Sequence, residues 1–284
     1  MKKWNMIVDV ARCHNCYNCF ITTKDEYVAQ EHKGYTAPQP LHGHSWVDME
    51  YREAGKWPIV ETNFRPVMCN HCDDAPCMKA ATGDAIKKRD DGIVIIDPEK
   101  SKGQKQIVDA CPYGAIYWNE EEQIPQAWPF DAHLLDQGWE KTKIEMACPT
   151  DVLKSVKVSD KKMQQIAKEE NLTTLEPKLG AKPRVYYKNN HLFEACFIAG
   201  TVVTKVQDRE ECLEGVTVNA IRNGESIGGA TTDGFGEFKI KEIYPNEDSI
   251  TLEVEHNGKV VKKLDVELPD STYIGVIDID SIEV

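Results

Sequence analysis

The chain has 284 residues, of which 41% are apolar and 29% are charged, and a formal net charge of −13. This composition is typical of a globular protein of about two domains, and the negative charge opposes nucleic acid as a partner. No apolar stretch approaches the roughly 20 residues that span a bilayer, so we expect no direct membrane insertion. Ten cysteines without an export signal favour metal ligation in a reducing cytoplasm, unless the chain is exported with a partner that carries the signal.

The first motif reads CHNCYNCFITT over residues 13–23. Cys13, Cys16 and Cys19 fill the first three places of the C-x2-C-x2-C-x3-C-P run that binds cubane iron–sulfur clusters in bacterial ferredoxins. Thr23 stands in the fourth place. In that run the fourth cysteine binds a different cluster from the first three. The triplet therefore predicts a cluster site whose last ligand comes from elsewhere in the chain.

Residues 20–66 form a long insertion that contains many aromatic residues and prolines. Its three histidines, His32, His42 and His44, are candidate metal ligands. We favour packing or partner contacts for them, because single histidines often find hydrogen bonds in protein cores. Aromatic anchors are enriched at the centres of interfaces, so the insertion predicts contact with a partner chain.

The second triplet, CNHCDDAPC, places Cys69, Cys72 and Cys77 in a C-x2-C-x4-C pattern. Ala81 stands where a fourth cysteine would follow, so the same departure from the ferredoxin run occurs twice. The next segment, DDGIVIIDPEK over residues 90–100, predicts a short β-branched strand between two turns.

Two lone cysteines, Cys111 and Cys148, each precede a proline and resemble the end of a ferredoxin motif. With the two triplets they make eight ligands, which is enough for two cubane clusters. Zinc also binds four cysteines, but typically as C-x2-C pairs rather than triplets, and we keep it as the less favoured alternative. Disulfides are favoured less still. Cys196 and Cys212 have no closely spaced companions and receive no role.

The region after the last Cys-Pro unit predicts one helix and one extended segment. Residues 159–171, SDKKMQQIAKEEN, begin with a helix-capping serine and predict a short surface helix. Residues 177–189, PKLGAKPRVYYKN, contain prolines and a glycine and then an extended RVYY stretch.

From about residue 197 the chain alternates in short stretches bounded by glycine, asparagine, aspartate and proline. The turns RNGE (222–225) and HNGK (256–259) are strong hairpin signals. About seven strands in about 85 residues predict a β-sandwich, which typically binds or covers rather than catalyses. A calcium site at Asp233 is the weaker interpretation, because a single Asp-Gly pair usually marks only a turn.

The cysteine pattern resembles that of the iron–sulfur subunits of molybdopterin oxidoreductases of the dimethyl sulfoxide reductase family. Those subunits carry four cysteine motifs, paired first with fourth and second with third, and each triplet shares its cluster with the last cysteine of its pair-mate. The resemblance implies two [4Fe–4S] clusters with these ligands: Cys13, Cys16, Cys19 and Cys148 for one, and Cys69, Cys72, Cys77 and Cys111 for the other.

The same resemblance implies that two other cluster sites of the family are lost in this chain. Other residues stand at their cysteine positions: Thr23, Trp128, Asp131 and Ile144 in the first lost site, and Ala81, Ser101, Gln104 and Ile107 in the second. Thr23 thus belongs to a lost site, and the triplet before it remains usable.

The C-terminal sandwich is unusual in that family and is similar to that of molybdenum transhydroxylases acting on polyhydroxylated benzenes. The stretches DGIVIIDPEK, CPYGAIYWNEEE, AHLLD and KPRVYYKN carry this resemblance. It implies an α+β fold with two ferredoxin-like modules over residues 1–155, including the insertion 20–66. A helix and a wrapping connector would follow over residues 156–196, and a transthyretin- or immunoglobulin-like sandwich over residues 197–284.

The function implied is that of a non-catalytic subunit in an anaerobic complex, a heterodimer or a larger assembly. A large partner chain would hold the molybdenum- or tungsten-bis-molybdopterin guanine dinucleotide and the active site. Reductive catechol dehydroxylases and resorcinol hydroxylases are alternatives within the same class. A stand-alone ferredoxin-like electron carrier and a subunit whose clusters only hold the fold are alternatives of other classes.

Overall fold

The structure is a computed structural model that describes residues 1–207, 209–245 and 248–279. The chain divides into two units. The first comprises residues 1–51 and 64–190, and the second comprises residues 52–63 and 191–284. The middle of the insertion therefore belongs to a different unit from the cysteine motifs that flank it.

Short helices and strands build the first unit, as expected for an α+β fold. The strands that begin before residue 190 are β1 (Lys3–Asp9), β2 (Val47–Lys56), β3 (Ile59–Met68), β4 (Ile86–Lys88), β5 (Val94–Ile96), β6 (Tyr117–Asn119), β7 (Ile124–Gln126), β8 (Leu153–Val158) and β9 (Val185–Lys188). The helices are α1 (Asn18–Tyr27), α2 (Pro76–Ala80), α3 (Gln106–Asp109), α4 (Ala132–Asp136), α5 (Lys143–Ala147) and α6 (Asp160–Glu169). Within the described residues, no helix has the length and apolar character needed to cross a membrane.

A three-stranded sheet in the order β8-β1-β9 is the largest sheet of this unit. β1 runs antiparallel to β8, with Lys3 opposite Val158, and parallel to β9, with Met6 opposite Val185. The other strands form three two-stranded ribbons, β2-β3, β4-β5 and β6-β7. The β-branched strand predicted within residues 90–100 is confirmed as β5.

The predicted surface helix is confirmed as α6. Ser159 caps its first turn by accepting a hydrogen bond from the backbone N–H of Lys162, and Met163 is its only buried residue. The RVYY stretch is also extended, because β9 begins at Val185 and pairs along β1.

In its described residues, the second unit has one short helix and two four-stranded sheets. Its elements from residue 191 are α7 (His191–Glu194), β10 (Cys196–Val206), β11 (Arg209–Cys212), β12 (Thr217–Arg222), β13 (Glu225–Thr231), β14 (Glu237–Ile243), β15 (Ile250–His256), β16 (Lys259–Val266) and β17 (Thr272–Asp278). One sheet has the order β11-β10-β14, with β17 also paired to β10, and the other has the order β13-β12-β15-β16. Alternate side chains of both sheets meet in one apolar core, for example Ile198, Val218, Ile240 and Leu252. This arrangement is that of a β-sandwich.

Both predicted hairpin turns are confirmed. Asn223 and Gly224 connect β12 to β13 with φ values of 52° and 81°, and Asn257 and Gly258 connect β15 to β16 with 51° and 73°. Such left-handed pairs are what a two-residue hairpin requires. The Asp233 carboxylate serves its own turn, where it accepts hydrogen bonds from two backbone N–H groups at 2.9 Å.

Replacing the fully buried Val254 with alanine is expected to lower the free energy of unfolding of the second unit by about 2 kcal/mol, because the change removes buried apolar area and leaves a cavity. The control is Val260→Ala on the neighbouring strand, where the residue is 47% exposed, and we expect a loss below about 0.5 kcal/mol. Native-state hydrogen exchange of the β12 and β15 amides measures both losses. Equal effects would contradict the assignment of the core.

Candidate metal centres

Cys13 and Cys148 come together because of how β1 and β8 pair. β1 continues through one 3-10 turn, Val10–Arg12, into Cys13. The two strands are antiparallel, and Val8 lies opposite Leu153, so the end of β1 lies beside the start of β8. Cys148 caps α5 just before that start. Residues from the two ends of the cysteine-rich region are thus placed side by side.

We call Cys13, Cys16, Cys19 and Cys148 the first thiol set. Burial raises the pKa of Cys13, and the neighbouring thiolates of Cys148 and Cys16 raise it further. Burial, together with smaller contributions from the other three thiolates of the set, raises the pKa of Cys19 to about 12. The four thiols therefore lie within electrostatic range of one another. Cys16 is exposed, and Cys19 is buried.

We call Cys69, Cys72, Cys77 and Cys111 the second thiol set. The four residues line one small pocket. Burial raises the pKa of Cys72 to about 12 and that of Cys77 to about 11, and the thiolate of Cys111 adds to both shifts. Burial raises the pKa of Cys69 as well. The structure therefore also groups these four residues, although Cys111 is far from the triplet in sequence.

Two cations hold the loop over residues 69–73 in place. The ammonium group of Lys88 donates hydrogen bonds to two carbonyl oxygens of this loop, at 2.6 and 3.0 Å. Arg184 donates its backbone N–H to the Asn70 carbonyl and its Nε to Asp73 Oδ1 at 2.7 Å. Burial alone would raise the pKa of Asp73, but hydrogen bonds from Arg184 and Lys88 outweigh it and lower the pKa to about 2. The loop is thus fixed by charged groups from two other segments.

His71 lies in the same loop and is buried. Its Nδ1 accepts a hydrogen bond from the backbone N–H of Val94 at 3.1 Å. Its ring packs edge-on against Phe130 and Trp128, with centroid separations of 5.2 and 6.0 Å. Burial lowers the pKa of His71 to about 3, so the ring is neutral at neutral pH.

Buried side chains occupy the positions of the first lost site: Thr23, Trp128, Asp131 and Ile144. The Asp131 carboxylate accepts hydrogen bonds from the Tyr27 hydroxyl at 2.8 Å and the Trp128 indole N–H at 2.9 Å. It also accepts one from the backbone N–H of Lys143 at 2.8 Å. Phe130 and Asp131 both have left-handed φ values, a costly conformation for residues other than glycine that these hydrogen bonds help to hold.

The positions of the second lost site are filled differently. Ile107 is buried in an apolar cluster with Ile86, and Ala81 packs against the same cluster. The Gln104 side chain hydrogen-bonds both the N–H and the carbonyl of Thr82, at 2.8 and 3.1 Å. Apolar packing and an amide side chain therefore stand where the resemblance places thiolates.

The three histidines of the insertion have separate environments. His42 is exposed, and Nε2 of His44 lies 3.0 Å from a backbone carbonyl oxygen. His32 lies beside Glu26 and His133, with donor atoms of the three side chains within 4.8 Å of one another. No short spacing in the sequence connects His133 with His32, so this group emerges only from the fold.

Four sulfur donors in each set fit an iron–sulfur cluster, which is held by four cysteine thiolates. Burial, with a smaller contribution from the neighbouring thiolates, raises the pKa values of Cys19 and Cys72 to about 12, so these two thiols keep their protons when no metal is bound. Metal binding releases such protons and supplies the positive charge that the site lacks. A tetrahedral zinc ion takes the same four donors, so the donor set alone does not choose between the two metals.

Comparison with known proteins favours iron–sulfur clusters over zinc. Residues 60–158 match the family model described as a 4Fe-4S dicluster domain. The small subunit of pyrogallol hydroxytransferase from Pelobacter acidigallici is 40% identical over 262 residues, which cover 91% of this chain and 93% of that protein.

Two more distant relatives are also named as subunits of enzymes. A putative iron–sulfur subunit of dimethyl sulfoxide reductase from Halobacterium salinarum is 27% identical, covering 68% of this chain and 81% of that protein. A tetrathionate reductase subunit from Salmonella typhimurium is 25% identical, covering 65% of this chain and 72% of that protein.

Proposed function

Because the chain belongs to the iron–sulfur subunits of the dimethyl sulfoxide reductase family, we propose that it is the non-catalytic subunit of a molybdenum or tungsten enzyme acting on polyhydroxylated aromatic compounds. The observation that carries this proposal is the grouping of eight cysteines into two sets of four in a chain 40% identical to the pyrogallol hydroxytransferase subunit. The substrate class is carried over from that relative's name.

Each thiol set would hold one [4Fe–4S] cluster, in two ferredoxin-like modules. Cys13, Cys16, Cys19 and Cys148 would be the ligands of one cluster; the other would use Cys69, Cys72, Cys77 and Cys111. Such a cluster supplies one-electron transfer when it is bound. The chain's own contribution is to bring distant cysteines together through β1 and β8 and to fix the loop over residues 69–73 with Lys88 and Arg184.

The reaction itself would take place in a large partner chain that holds bis-molybdopterin guanine dinucleotide, in a cytoplasmic heterodimer or larger assembly. The insertion and the residues just before it support such a partner, because they present many large apolar side chains to solvent. The exposed ones within residues 17–60 are Tyr17, Ile21, Leu41, Tyr51, Trp57 and Val60. Apolar anchors of this kind are typical of interface cores.

Two roles for the clusters are separable by experiment. Hydroxyl transfer between two phenols has no net electron demand, so the clusters would chiefly hold the fold or poise the partner's metal. The side chains around Asp131 and Ile107 favour this role, because they stand where neighbouring clusters would otherwise pass electrons. A reductive dehydroxylase is the second candidate, and the exposure of Cys16 favours it, because a soluble donor could approach the first thiol set there.

Iron content tests the two ligand sets. We expect about eight irons per chain, falling to about four in Cys148→Ser and to about four in Cys111→Ser, because each change removes a ligand from one set only. The control is Cys212→Ser at an exposed position outside both sets, which should keep all of the iron. Iron and acid-labile sulfide assays measure the outcome. Zinc in place of iron, or loss of both clusters from either single variant, would contradict the assignment.

Association with a partner tests the insertion. We expect Tyr51→Ala to weaken binding of the molybdenum-containing chain at least tenfold, because tyrosines that a partner chain buries are common interface hot spots. Tyr244→Ala is the matched control, since Tyr244 is also exposed but lies in the β-sandwich. Co-purification and titration of the two chains measure the difference. A stable solitary chain in native extracts would show that the proposed partner does not exist.

Rapid-mixing spectroscopy during turnover separates the two roles of the clusters. For hydroxyl transfer we expect the cluster absorption to stay constant while product forms, because electrons do not leave the complex. Reduction and reoxidation of both clusters at the turnover rate would instead support the reductive dehydroxylase. The same experiment with Cys111→Ser provides a control in which only the first set can contribute a signal.

A further inference from the structure

We propose that Glu26, His32 and His133 form a mononuclear site for a divalent cation of the zinc class, separate from both thiol sets and independent of the function proposed above. His133 Nε2 lies 2.7 Å and His32 Nε2 lies 3.8 Å from the same oxygen, Oε1 of Glu26. Two imidazoles and one carboxylate converging on a point are the donors of many mononuclear zinc sites.

The three donors come from three segments whose positions are fixed independently. Glu26 lies in the last turn of α1, and His133 lies in α4. His32 is held in a tight loop, because its backbone N–H and carbonyl both hydrogen-bond to Thr36 at 3.0 Å. The imidazole rings of His32 and His133 lie with 3.9 Å between their centroids and an angle of 37° between their planes. A site assembled from constrained segments loses little conformational entropy when a cation binds.

The charge at Glu26 suits a cation. Its carboxylate forms an ion pair with Lys143. Lys143 Nζ lies 2.6 Å from Oε2 of Glu26 and leaves Oε1 to face the two histidines. Metal-binding carboxylates commonly have their second oxygen hydrogen-bonded in this way. The Lys143 ammonium group also donates a hydrogen bond to the Asp25 carboxylate at 3.2 Å, so its positive charge is divided between Glu26 and Asp25.

The site leaves room for a ligand beyond the protein. The side chains of Glu26 and His32 are each 14% exposed, whereas that of His133 is 6% exposed. Three protein donors with some access to solvent leave the fourth tetrahedral position to water. A bound cation would join α1, the loop around His32 and α4.

Hydrogen bonding alone is the competing explanation. In that case His133 Nε2 donates to Glu26 Oε1, and His32 Nε2 donates to the backbone carbonyl of Glu26 at 3.1 Å. Nδ1 of His133 is buried and has no hydrogen-bond partner in the described part of the chain in either explanation. The two explanations differ in whether the group retains zinc.

The experiment uses the full chain as isolated under anaerobic conditions, with its iron and with any partner that co-purifies. The protein is equilibrated with Zn²⁺, and zinc and iron are then measured per chain together with the zinc X-ray absorption spectrum. We expect about one zinc bound only by nitrogen and oxygen at about 2.0–2.1 Å. His133→Gln should weaken zinc binding at least tenfold. His42→Gln, an exposed histidine of the same insertion, should leave it unchanged.

The outcomes separate cleanly. A sulfur shell at about 2.3 Å would place the zinc on cysteines and overturn the proposal. No retained zinc would leave only the hydrogen-bonded group, and equal zinc binding by His133→Gln would exclude that residue as a ligand; both overturn it. Unchanged iron in His133→Gln shows that the variant is folded. If the variant loses iron, the absorption spectrum of the unaltered protein still decides.

Discussion

The pairing of β1 with β8 is the interaction on which the first unit depends. It places the two ends of the cysteine-rich region side by side, so that Cys148 can join a triplet near the start of the chain. β1 also serves the second thiol set, because Asn5 within it accepts a hydrogen bond from Arg184, whose guanidinium holds Asp73. One central strand thus helps to position both sets. A unit built from such short elements has small cores, so metal binding would add much of the folding free energy.

At the positions where the resemblance implies two further clusters, the protein core is filled in two different ways. At the first, a buried carboxylate receives three hydrogen bonds, and Tyr27, Trp128 and the start of α5 are joined through Asp131. Each hydrogen bond to a charged acceptor contributes about 1.5–3 kcal/mol. The three bonds offset part of the cost of burying the charge, and burial still raises the pKa of Asp131. At the second, Ile107 and its neighbours simply extend the apolar core. Neither solution leaves a thiol-lined cavity, so the cysteine loss is matched by the packing around it.

The cysteine spacing predicted two triplets that each need a fourth ligand from elsewhere, and the family resemblance implied which Cys-Pro cysteine joins which triplet. The Asn-Gly turns predicted two hairpins for an equally local reason: left-handed φ values are accessible to few residues. The structure of the insertion could not be predicted from local patterns. Its division between two units, and the meeting of Glu26 and His32 with His133, depend on tertiary packing that leaves no short-range pattern. The sequence alone favours packing or partner contacts for His32, whereas the geometry places it in a candidate metal site.

Under the proposed function, the positions around Asp131 and Ile107, which lack thiolates, constrain the mechanism more than the two thiol sets do. Electron transfer slows steeply with distance, and the side chains around Asp131 and Ile107 are not redox centres that work at the potentials of such clusters. Electrons crossing this chain would therefore have to pass directly between the two thiol sets. A subunit used mainly as a conductor would gain nothing from replacing its intermediate centres with a carboxylate network and an apolar core. A subunit of an enzyme that moves a hydroxyl group between phenols has no such demand, and its clusters remain useful because they join segments that are far apart in sequence.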